Sequence, residues 1–221
     1  MEEIQKKSEP RWERRKDARP AELLAAALAL FVEKGYAATR LEDVAARAGV
    51  SKGTLYLYFD NKEALFKAVV QEGLVPVIEE GEALIRDYQG SAADLLRHIV
   101  TRWWESIGAT HFAGVIKLMM SEAQNFPEAA EFHYEQVVTR GKRIFAFTVD
   151  LGIKQGEFRA VSTPYCVRVL LAPLLMLAIW RYSLGVCDRE PVDANAYLET
   201  YLDMALAGLA APSAPQAGEA Q

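Results

Sequence analysis

The chain has 221 residues, 51% of them hydrophobic and 25% charged, with a formal net charge of −5 at pH 7, which is ordinary for a soluble globular protein. The first ten residues, MEEIQKKSEP, contain no apolar run, so we expect no secretory signal and a cytoplasmic protein. The longest uncharged run of the second half, residues 169–180, is too short to span a membrane and predicts a buried helix. The two cysteines match no metal or redox spacing, which is typical of reduced thiols.

Charge is distributed unevenly along the chain. Residues 1–62 carry 12 Lys or Arg against 10 Asp or Glu, whereas residues 63–221 carry 13 against 20. The segment from Lys6 to Arg19 is the most basic part, with seven bases against three acids. A basic end followed by an acidic body indicates an anionic partner near the N-terminus, although a solvated basic tail explains the same pattern equally well.

Nearly the whole chain is predicted to be helical, because apolar residues recur at helical spacing and no alternating strand pattern occurs. The first helix is expected from about Pro20 to Lys34, with Gly35 as its left-handed C-terminal residue and Tyr36 in contact with Phe31. The predicted inward stripe of this helix is Leu24, Ala27, Leu28 and Phe31.

Two short helices follow the first. The second should begin with a capping box, in which Thr39 caps the helix and Glu42 reaches back, and it should end at Gly49. The third has Ser51 as its N-cap and is barely two turns long. Its predicted inward residues are Leu55 and Phe59.

Two short helices joined through Gly49 form the pattern of a helix-turn-helix, whose second helix lies in the DNA major groove. Gly53 costs a helix roughly 1 kcal/mol against Ala, but it leaves no side chain between the helix N-terminus and a phosphate or base edge. Lys52 adds charge there, and an exposed Tyr56 suits contacts with the DNA backbone or with thymine methyl groups. Packing of Tyr56 and Tyr58 against the first helix is the alternative explanation.

The run LFVEKGYAATRLEDVAARAGVSKGTLYLYFDNKEALF, residues 30–66, resembles the N-terminal domain of the TetR/AcrR family of bacterial transcriptional regulators. The resemblance covers roughly residues 20–70 and implies an all-α homodimer of about nine helices that reads a palindromic operator. It further implies a repressor that a small organic effector releases from DNA. Carried over residue by residue, the implied DNA contacts are Arg40, Ser51, Lys52, Gly53, Thr54, Tyr56, Tyr58 and Lys62.

The predicted domain order has four parts. Residues 1–18 form a basic, flexible arm, 19–66 the helix-turn-helix domain, 67–210 the effector-binding and dimerisation domain, and 211–221 a disordered tail. We expect the arm to reach a neighbouring minor groove, as homeodomain arms do.

The fourth helix should be capped by Asp60 or Asn61 and continue to about Tyr88, with a kink at Pro76. The last two helices are expected over residues 164–183 and 192–209, and the resemblance implies that they pair with a second copy. A helix that is apolar on all sides is also hard to bury within one small subunit, which favours the same pairing. The predicted dimer-interface residues are Leu171, Leu174, Leu175, Ala178, Tyr201 and Met204.

The resemblance also implies a small-molecule site between the middle helices. Aromatic and methionine side chains there suit an apolar or weakly polar organic effector, although most of them also stand at core spacing. The predicted effector-binding residues are Trp103, Trp104, His111, Phe112, Met119, Met120, Glu122 and Tyr134.

No catalytic group is predicted. His98, His111 and His133 lie far apart and share no ligand spacing with a cysteine or carboxylate, so we expect no metal, no cofactor and no enzyme activity. One alternative function is an architectural or cell-cycle DNA-binding protein of the same fold without a metabolite ligand. Another is a small-molecule binding protein or an enzyme with a vestigial DNA-binding head.

Overall fold

The computed structural model describes residues 13–212, and it describes side chains from residue 20 onward. The described residues are largely helical and contain no β-strand, apart from one isolated antiparallel bridge between Phe158 and Ala210. The all-α prediction is therefore confirmed. The chain divides into two compact units between Val69 and Val70, three residues beyond the boundary that the sequence suggested.

Four helices open the chain, and the rest belong to the second unit. The first four are α1 (Glu13–Lys34), α2 (Leu41–Arg47), α3 (Lys52–Tyr56) and α4 (Lys62–Gly73). The others are α5 (Val75–Arg86), α6 (Ala92–Trp103), α7 (Ala113–Glu122), α8 (Pro127–His133), α9 (Arg140–Gln155), α10 (Thr163–Arg181) and α11 (Ala194–Leu209). When α4 with α5 and α8 with α9 are each counted as one interrupted helix, the described residues hold nine, the number that the resemblance implies.

Three short segments complete the second unit. The π-helical segment Trp104–Gly108 continues α6, and the π-helical segment Tyr134–Thr139 joins α8 to α9. A 3₁₀ turn spans Leu184–Cys187. The predicted kink near Pro76 is observed as a break at Leu74, directly before α5. Pro76 occupies the first turn of α5, where its missing N–H leaves no hydrogen bond unmade.

The first helix begins earlier than predicted, because α1 starts at Glu13 and carries Pro20 inside it. A proline removes one backbone hydrogen bond from a helix interior, and here the helix continues past it. Part of the predicted basic arm, residues 13–18, therefore has a helical backbone. The remainder of the arm, residues 1–12, and most of the predicted tail, residues 213–221, lie outside the described residues.

The inward side of α1 is rotated from the predicted stripe. Leu23, Ala27, Leu30 and Phe31 are buried, whereas Leu24 and Leu28 are only partly buried. The reason is an aromatic cluster in which the ring of Phe31 stacks on Tyr36 at 5.4 Å and meets Phe66 edge-on at 5.8 Å. These contacts decide which side of α1 faces the core of the first unit.

The turn after α1 corrects the predicted capping box. Gly35 has a φ of 85°, as expected for the residue that ends α1. The hydroxyl of Thr39 lies 2.7 Å from the carbonyl oxygen of Gly35 and 3.2 Å from that of Leu30, so it closes the end of α1. The N-cap of α2 is Arg40, with no side-chain capping bond, and the capping-box prediction is wrong. Glu42 instead pairs with Lys52.

Helices α6, α9, α10 and α11 supply most of the core of the second unit, including the fully buried Leu96, Val149 and Leu174. Among the described residues, α10 is the one helix whose length and apolar composition would let it cross a membrane. Core helices of soluble proteins meet the same criterion. One side of α10 packs into this core while Tyr165 and Val169 remain exposed, so the predicted buried helix is buried on one side.

Candidate nucleic-acid interface and effector cavity

The third helix is built by short-range capping. Gly49 takes a φ of 68°, which lets the chain turn between α2 and α3. The side chain of Ser51 then accepts a hydrogen bond of 3.1 Å from the backbone N–H of Thr54, which confirms Ser51 as the N-cap. The hydroxyls of Ser51 and Thr54 lie 2.8 Å apart, and Leu55 is fully buried beneath them.

An exposed apolar patch forms the end of α3. Tyr56 is 42% exposed, Leu57 83% and Tyr58 37%. Because Leu55 is the residue of this helix that enters the core, neither tyrosine is hidden inside the first unit. Three consecutive large exposed side chains on a two-turn element indicate a contact surface.

Within the described chain, neither the backbone conformation nor the available space requires a glycine at position 53. Its φ is not left-handed, and a Cβ added to it would meet only the Ser51 hydroxyl oxygen, at an ordinary 3.8 Å. An alanine would therefore fit and would favour the helix. The absence of a side chain leaves the backbone at the start of α3 open to approach from outside.

Lys52, the first residue of α3, is held by its neighbours. Its ammonium pairs with the carboxylate of Glu42 at 2.5 Å and lies 5.7 Å from the centre of the Tyr56 ring. The hydrogen bond between the two charged groups lowers the pKa of Glu42 and raises that of Lys52. Lys52 thus starts α3 with a positive charge oriented by Glu42.

The two other predicted basic contacts differ in position. Arg40 is exposed at the N-cap of α2, where its side chain is accessible. Lys62 instead donates hydrogen bonds to the carbonyl oxygens of Tyr36 at 2.6 Å and Ala37 at 3.1 Å, and lies 4.6 Å from the Tyr36 ring centre. The structure therefore gives Lys62 an internal role that the sequence did not indicate, at the turn between α1 and α2. Asn61 caps α4 by accepting from the N–H of Ala64.

A cavity of about 660 Å³ lies within the second unit. Its walls are mainly apolar, and helices α5 to α10 and the break at Leu74 contribute to them. Four of the predicted effector-binding residues line it, namely Trp103, Met119, Met120 and Tyr134.

The other four predicted effector-binding residues lie outside this cavity. Trp104 is buried in the core, where the Arg181 guanidinium lies 5.7 Å from its ring centre. The ring of Phe112 packs against Gly73, in the space that a Cβ there would need. Glu122 accepts a hydrogen bond from Asn125 in the turn after α7, and His111 is exposed. Composition and sequence position, on which these four predictions rest, do not distinguish neighbouring sides of a helix.

The sequence missed several polar residues of the cavity. His133, Glu131, Lys142 and Arg168 all contribute to its lining, among apolar residues such as Leu171. The π-helical segment Tyr134–Thr139, which directly follows His133, turns Tyr134, Val137 and Val138 toward it. Such segments occur often at functional sites, but their presence was not readable from the sequence.

A second apolar surface runs between α10 and α11, in a groove of about 880 Å³. Of the predicted dimer-interface residues, Leu174 and Ala178 are fully buried and Tyr201 donates a hydrogen bond to the carbonyl of Leu170. Leu171 and Leu175 line the effector cavity, so on α10 the prediction selected the inward side. Tyr201 and Met204 do line the groove, together with Tyr165, Val169, Pro173, Val192, Ala196 and Thr200.

Within the described part of the chain, no group of three or more His, Cys, Asp or Glu side chains could hold a metal ion. Cys166 and Cys187 are both free thiols and form no disulfide with each other. The arginines that form close ion pairs, such as Arg140 with Glu82, lie on helix surfaces.

The first unit, which contains α3, is similar to a known family. The family model described as "Bacterial regulatory proteins, tetR family" matches residues 23–69. This range contains α2, α3 and most of α1 and α4.

Relatives extend the similarity over the second unit. The HTH-type transcriptional repressor KstR2 of Rhodococcus jostii (strain RHA1) is 28% identical over 199 residues, covering 89% of this chain and 94% of its own. The uncharacterized HTH-type transcriptional regulator YfiR of Bacillus subtilis (strain 168) is 30% identical over 156 residues, covering 66% and 71%. The crystal structure of the Bacillus subtilis regulator FadR in complex with stearoyl-CoA matches with a TM-score of 0.70 at 20% identity, covering 86% and 98%, which shows a shared fold.

Proposed function

The chain belongs to the tetR family of bacterial regulatory proteins, and from this premise we propose that it is a transcriptional repressor that binds a palindromic operator as a homodimer. A small organic effector bound in the cavity of the second unit releases it from DNA. The protein acts in the cytoplasm and carries out no catalysis.

The observation that carries this proposal is the open start of α3. Gly53 leaves the backbone accessible although the protein itself has room for a side chain. Lys52 brings positive charge to this position, and the hydroxyls of Ser51 and Thr54 can donate to phosphate oxygens. Tyr56 and Tyr58 supply exposed rings for contacts with the DNA backbone and with thymine methyl groups. Arg40 is placed to add a phosphate contact at the start of α2.

Lys62 is the predicted DNA contact with the weakest support, because its ammonium already binds the carbonyl oxygens of Tyr36 and Ala37. We propose that it positions the turn before α2 and so acts on DNA binding indirectly.

The groove between α10 and α11 supports the homodimer. Tyr165, Val169 and Met204 are largely exposed although they are large and apolar, which is costly on the surface of a monomer. A two-fold partner would bury them against the same surface of a second copy. Pairing of this kind would set two α3 helices one helical turn of DNA apart, about 34–36 Å, or a multiple of it.

The cavity of the second unit favours a ligand-responsive repressor over an architectural protein that needs no ligand. Its volume of about 660 Å³ is that of a small-molecule site, and its lining is mainly apolar with a few polar groups. An effector controls DNA binding only if it binds one conformation of the dimer more tightly than the other.

Selection of bound sequences from a random DNA pool at near-physiological salt tests the proposal. The wild type should yield a palindromic consensus, and Tyr56→Ala should lose it or bind that consensus roughly tenfold more weakly. Tyr134→Ala, which changes an exposed tyrosine of the cavity, serves as the matched control and should keep the consensus. Sequence-independent binding that Tyr56→Ala leaves unchanged would contradict a repressor that reads an operator.

A further inference from the structure

His133 is a polar side chain without a partner in an apolar cavity. It ends α8, is only 6% exposed and contributes to the cavity lining. Its Nδ1 is buried and has no hydrogen-bond partner among the described residues. Buried polar groups in proteins are almost always hydrogen-bonded, so an unpaired one indicates a missing partner.

The imidazole is uncharged at neutral pH, because burial lowers the pKa of His133 to about 4. A neutral imidazole offers one N–H donor and one nitrogen acceptor, so it can bond to a hydroxyl or, as a donor, to a carbonyl. It carries no net charge, so it cannot form an ion pair with an anion at this depth. An uncharged oxygen is therefore the group that suits His133.

Cationic groups also line this cavity. Lys142 of α9 and Arg168 of α10 line it, with Glu131 as the one acidic residue of the lining. The Lys142 ammonium lies 5.0 Å from the ring centre of Tyr134, which is half exposed. Among the described residues, neither Lys142 nor Arg168 makes a close ion pair with a carboxylate, so both charges remain available to a ligand.

The backbone gives independent support for a ligand site here. Both π-helical segments of the described chain border this cavity, since Ile107 comes from the first and Tyr134 from the second. π-helical turns are rare and occur frequently at functional sites. The second segment starts immediately after His133.

Resting on the proposed function, we propose that the effector is an amphipathic organic anion whose apolar body carries an uncharged hydroxyl or carbonyl oxygen. That oxygen forms a hydrogen bond with His133, and the anionic group lies beside Lys142 and Arg168. An unsubstituted apolar compound would leave His133 without a partner, and a fully polar compound would not fill the walls.

Calorimetric titration with matched probes tests the inference. The probes are octanoate, decanoate and dodecanoate, each paired with its ω-hydroxy counterpart, and the neutral alkanediols of the same lengths. His133→Phe should weaken binding of the best hydroxylated probe about tenfold more than that of its unsubstituted partner, because the ligand hydroxyl loses its partner. The alkanediol should bind the wild type more weakly than the ω-hydroxy acid of the same length, because it lacks the carboxylate. In a Lys142→Gln, Arg168→Gln double variant the difference between these two probes should be much smaller.

A matched control and a second measurement guard against loss of folding. His111→Phe makes the same substitution at an exposed histidine outside the cavity, and it should leave all affinities unchanged. In wild-type protein labelled with ¹⁵N in its three imidazoles, the hydroxylated probe should shift the His133 signals more than the unsubstituted probe does. Equal effects of His133→Phe on both members of every pair, or no binding of any probe, would overturn the inference.

Release of operator DNA is measured in parallel, which separates the inference from the proposed function. If the protein binds an operator but His133→Phe weakens both probes of a pair equally, the inference alone is contradicted. If His133→Phe weakens the hydroxylated probe more but the protein binds no operator, the proposed function is contradicted and the chemistry of the cavity stands.

Discussion

The ammonium of Lys52 and a carboxylate oxygen of Glu42 lie 2.5 Å apart, so the first residue of α3 is tied to α2 by an ion pair. Both side chains are about half exposed, and pairs of this kind add little to folding stability. This pair matters for DNA binding, because a DNA phosphate would compete with Glu42 for the Lys52 ammonium.

Glu42→Gln should strengthen DNA binding, because it frees Lys52 and removes a negative charge beside the proposed DNA contacts. We expect a gain of several-fold in affinity and a slope of log K against log salt that is steeper by about 1. Fluorescence anisotropy of labelled operator over a range of salt measures both. Asp43→Asn, which breaks the exposed 3.1 Å pair with Lys34, is the control and should change less. Weaker binding by Glu42→Gln would mean that Glu42 positions Lys52 for DNA, and unchanged binding would mean that no phosphate competes with Glu42 for Lys52.

Substitution of Gly53 and Gly49 by alanine should have opposite effects on stability. Gly53→Ala places a methyl group on a helix at ordinary contact distance from the Ser51 hydroxyl and should raise the free energy of unfolding by up to about 1 kcal/mol. Gly49→Ala forces a side chain into a φ of 68° and should lower it by about 1 kcal/mol. Urea unfolding measures both changes. Despite its higher stability, Gly53→Ala should bind operator at least tenfold more weakly, and wild-type affinity would remove Gly53 from the interface.

Features that depend on a few neighbouring residues could be predicted from the sequence. The N-cap at Ser51 and the left-handed Gly35 follow from local geometry, and the stacking of Tyr36 on Phe31 follows from the helix end that Gly35 creates. The exposure of Tyr56 followed from the burial of Leu55, because the two lie on different sides of one short helix. These steps identified the proposed DNA-binding surface without knowledge of the tertiary structure.

Features that depend on tertiary packing could not be predicted. Thr39 satisfies the local rule for an N-cap, but the carbonyls at the end of α1 are closer partners. On α10 almost every residue is apolar, so composition does not reveal that Leu174 faces the core while Val169 faces outward. His133 shares no ligand spacing with other groups in the sequence, so its place in the cavity depends on helices that are distant along the chain.

Thr39 should be a stability determinant of the first unit through its hydroxyl. Thr39→Val keeps the shape but leaves the buried carbonyl oxygen of Leu30 and the partly buried one of Gly35 without this donor, so the free energy of unfolding should fall by roughly 1–3 kcal/mol. Thr39→Ser keeps the hydroxyl and should recover most of that loss. Chemical denaturation compares the three proteins, and a loss in Thr39→Ser with none in Thr39→Val would assign the effect to packing of the methyl group.

Met204→Lys should disrupt the proposed dimer. It would place two charges, one from each subunit, in the apolar surface between α10 and α11, where they would lose hydration without gaining a partner. Sedimentation velocity at micromolar concentration should change from dimer to monomer, with operator affinity falling in parallel. Met120→Lys is the matched control, because Met120 is 73% exposed against 71% for Met204 but lines the effector cavity. If Met204→Lys remains a dimer, the groove has another role.

His133 should make stability depend on pH in a defined window. Burial lowers its pKa to about 4 in the folded chain, against 6.5 for an ordinary histidine, so the unfolded chain takes up the proton first. Stability is therefore fully present above pH 6.5 and is lost as the pH falls toward 4, by up to about 3 kcal/mol. The charged residues Glu131, Lys142 and Arg168, which line the same cavity, stay in place in all variants compared. Urea unfolding at several pH values gives the free energy of unfolding as a function of pH. This free energy should change less steeply with pH in His133→Phe than in wild type or His111→Phe. Equal slopes would mean that His133 gains a proton without cost inside the cavity.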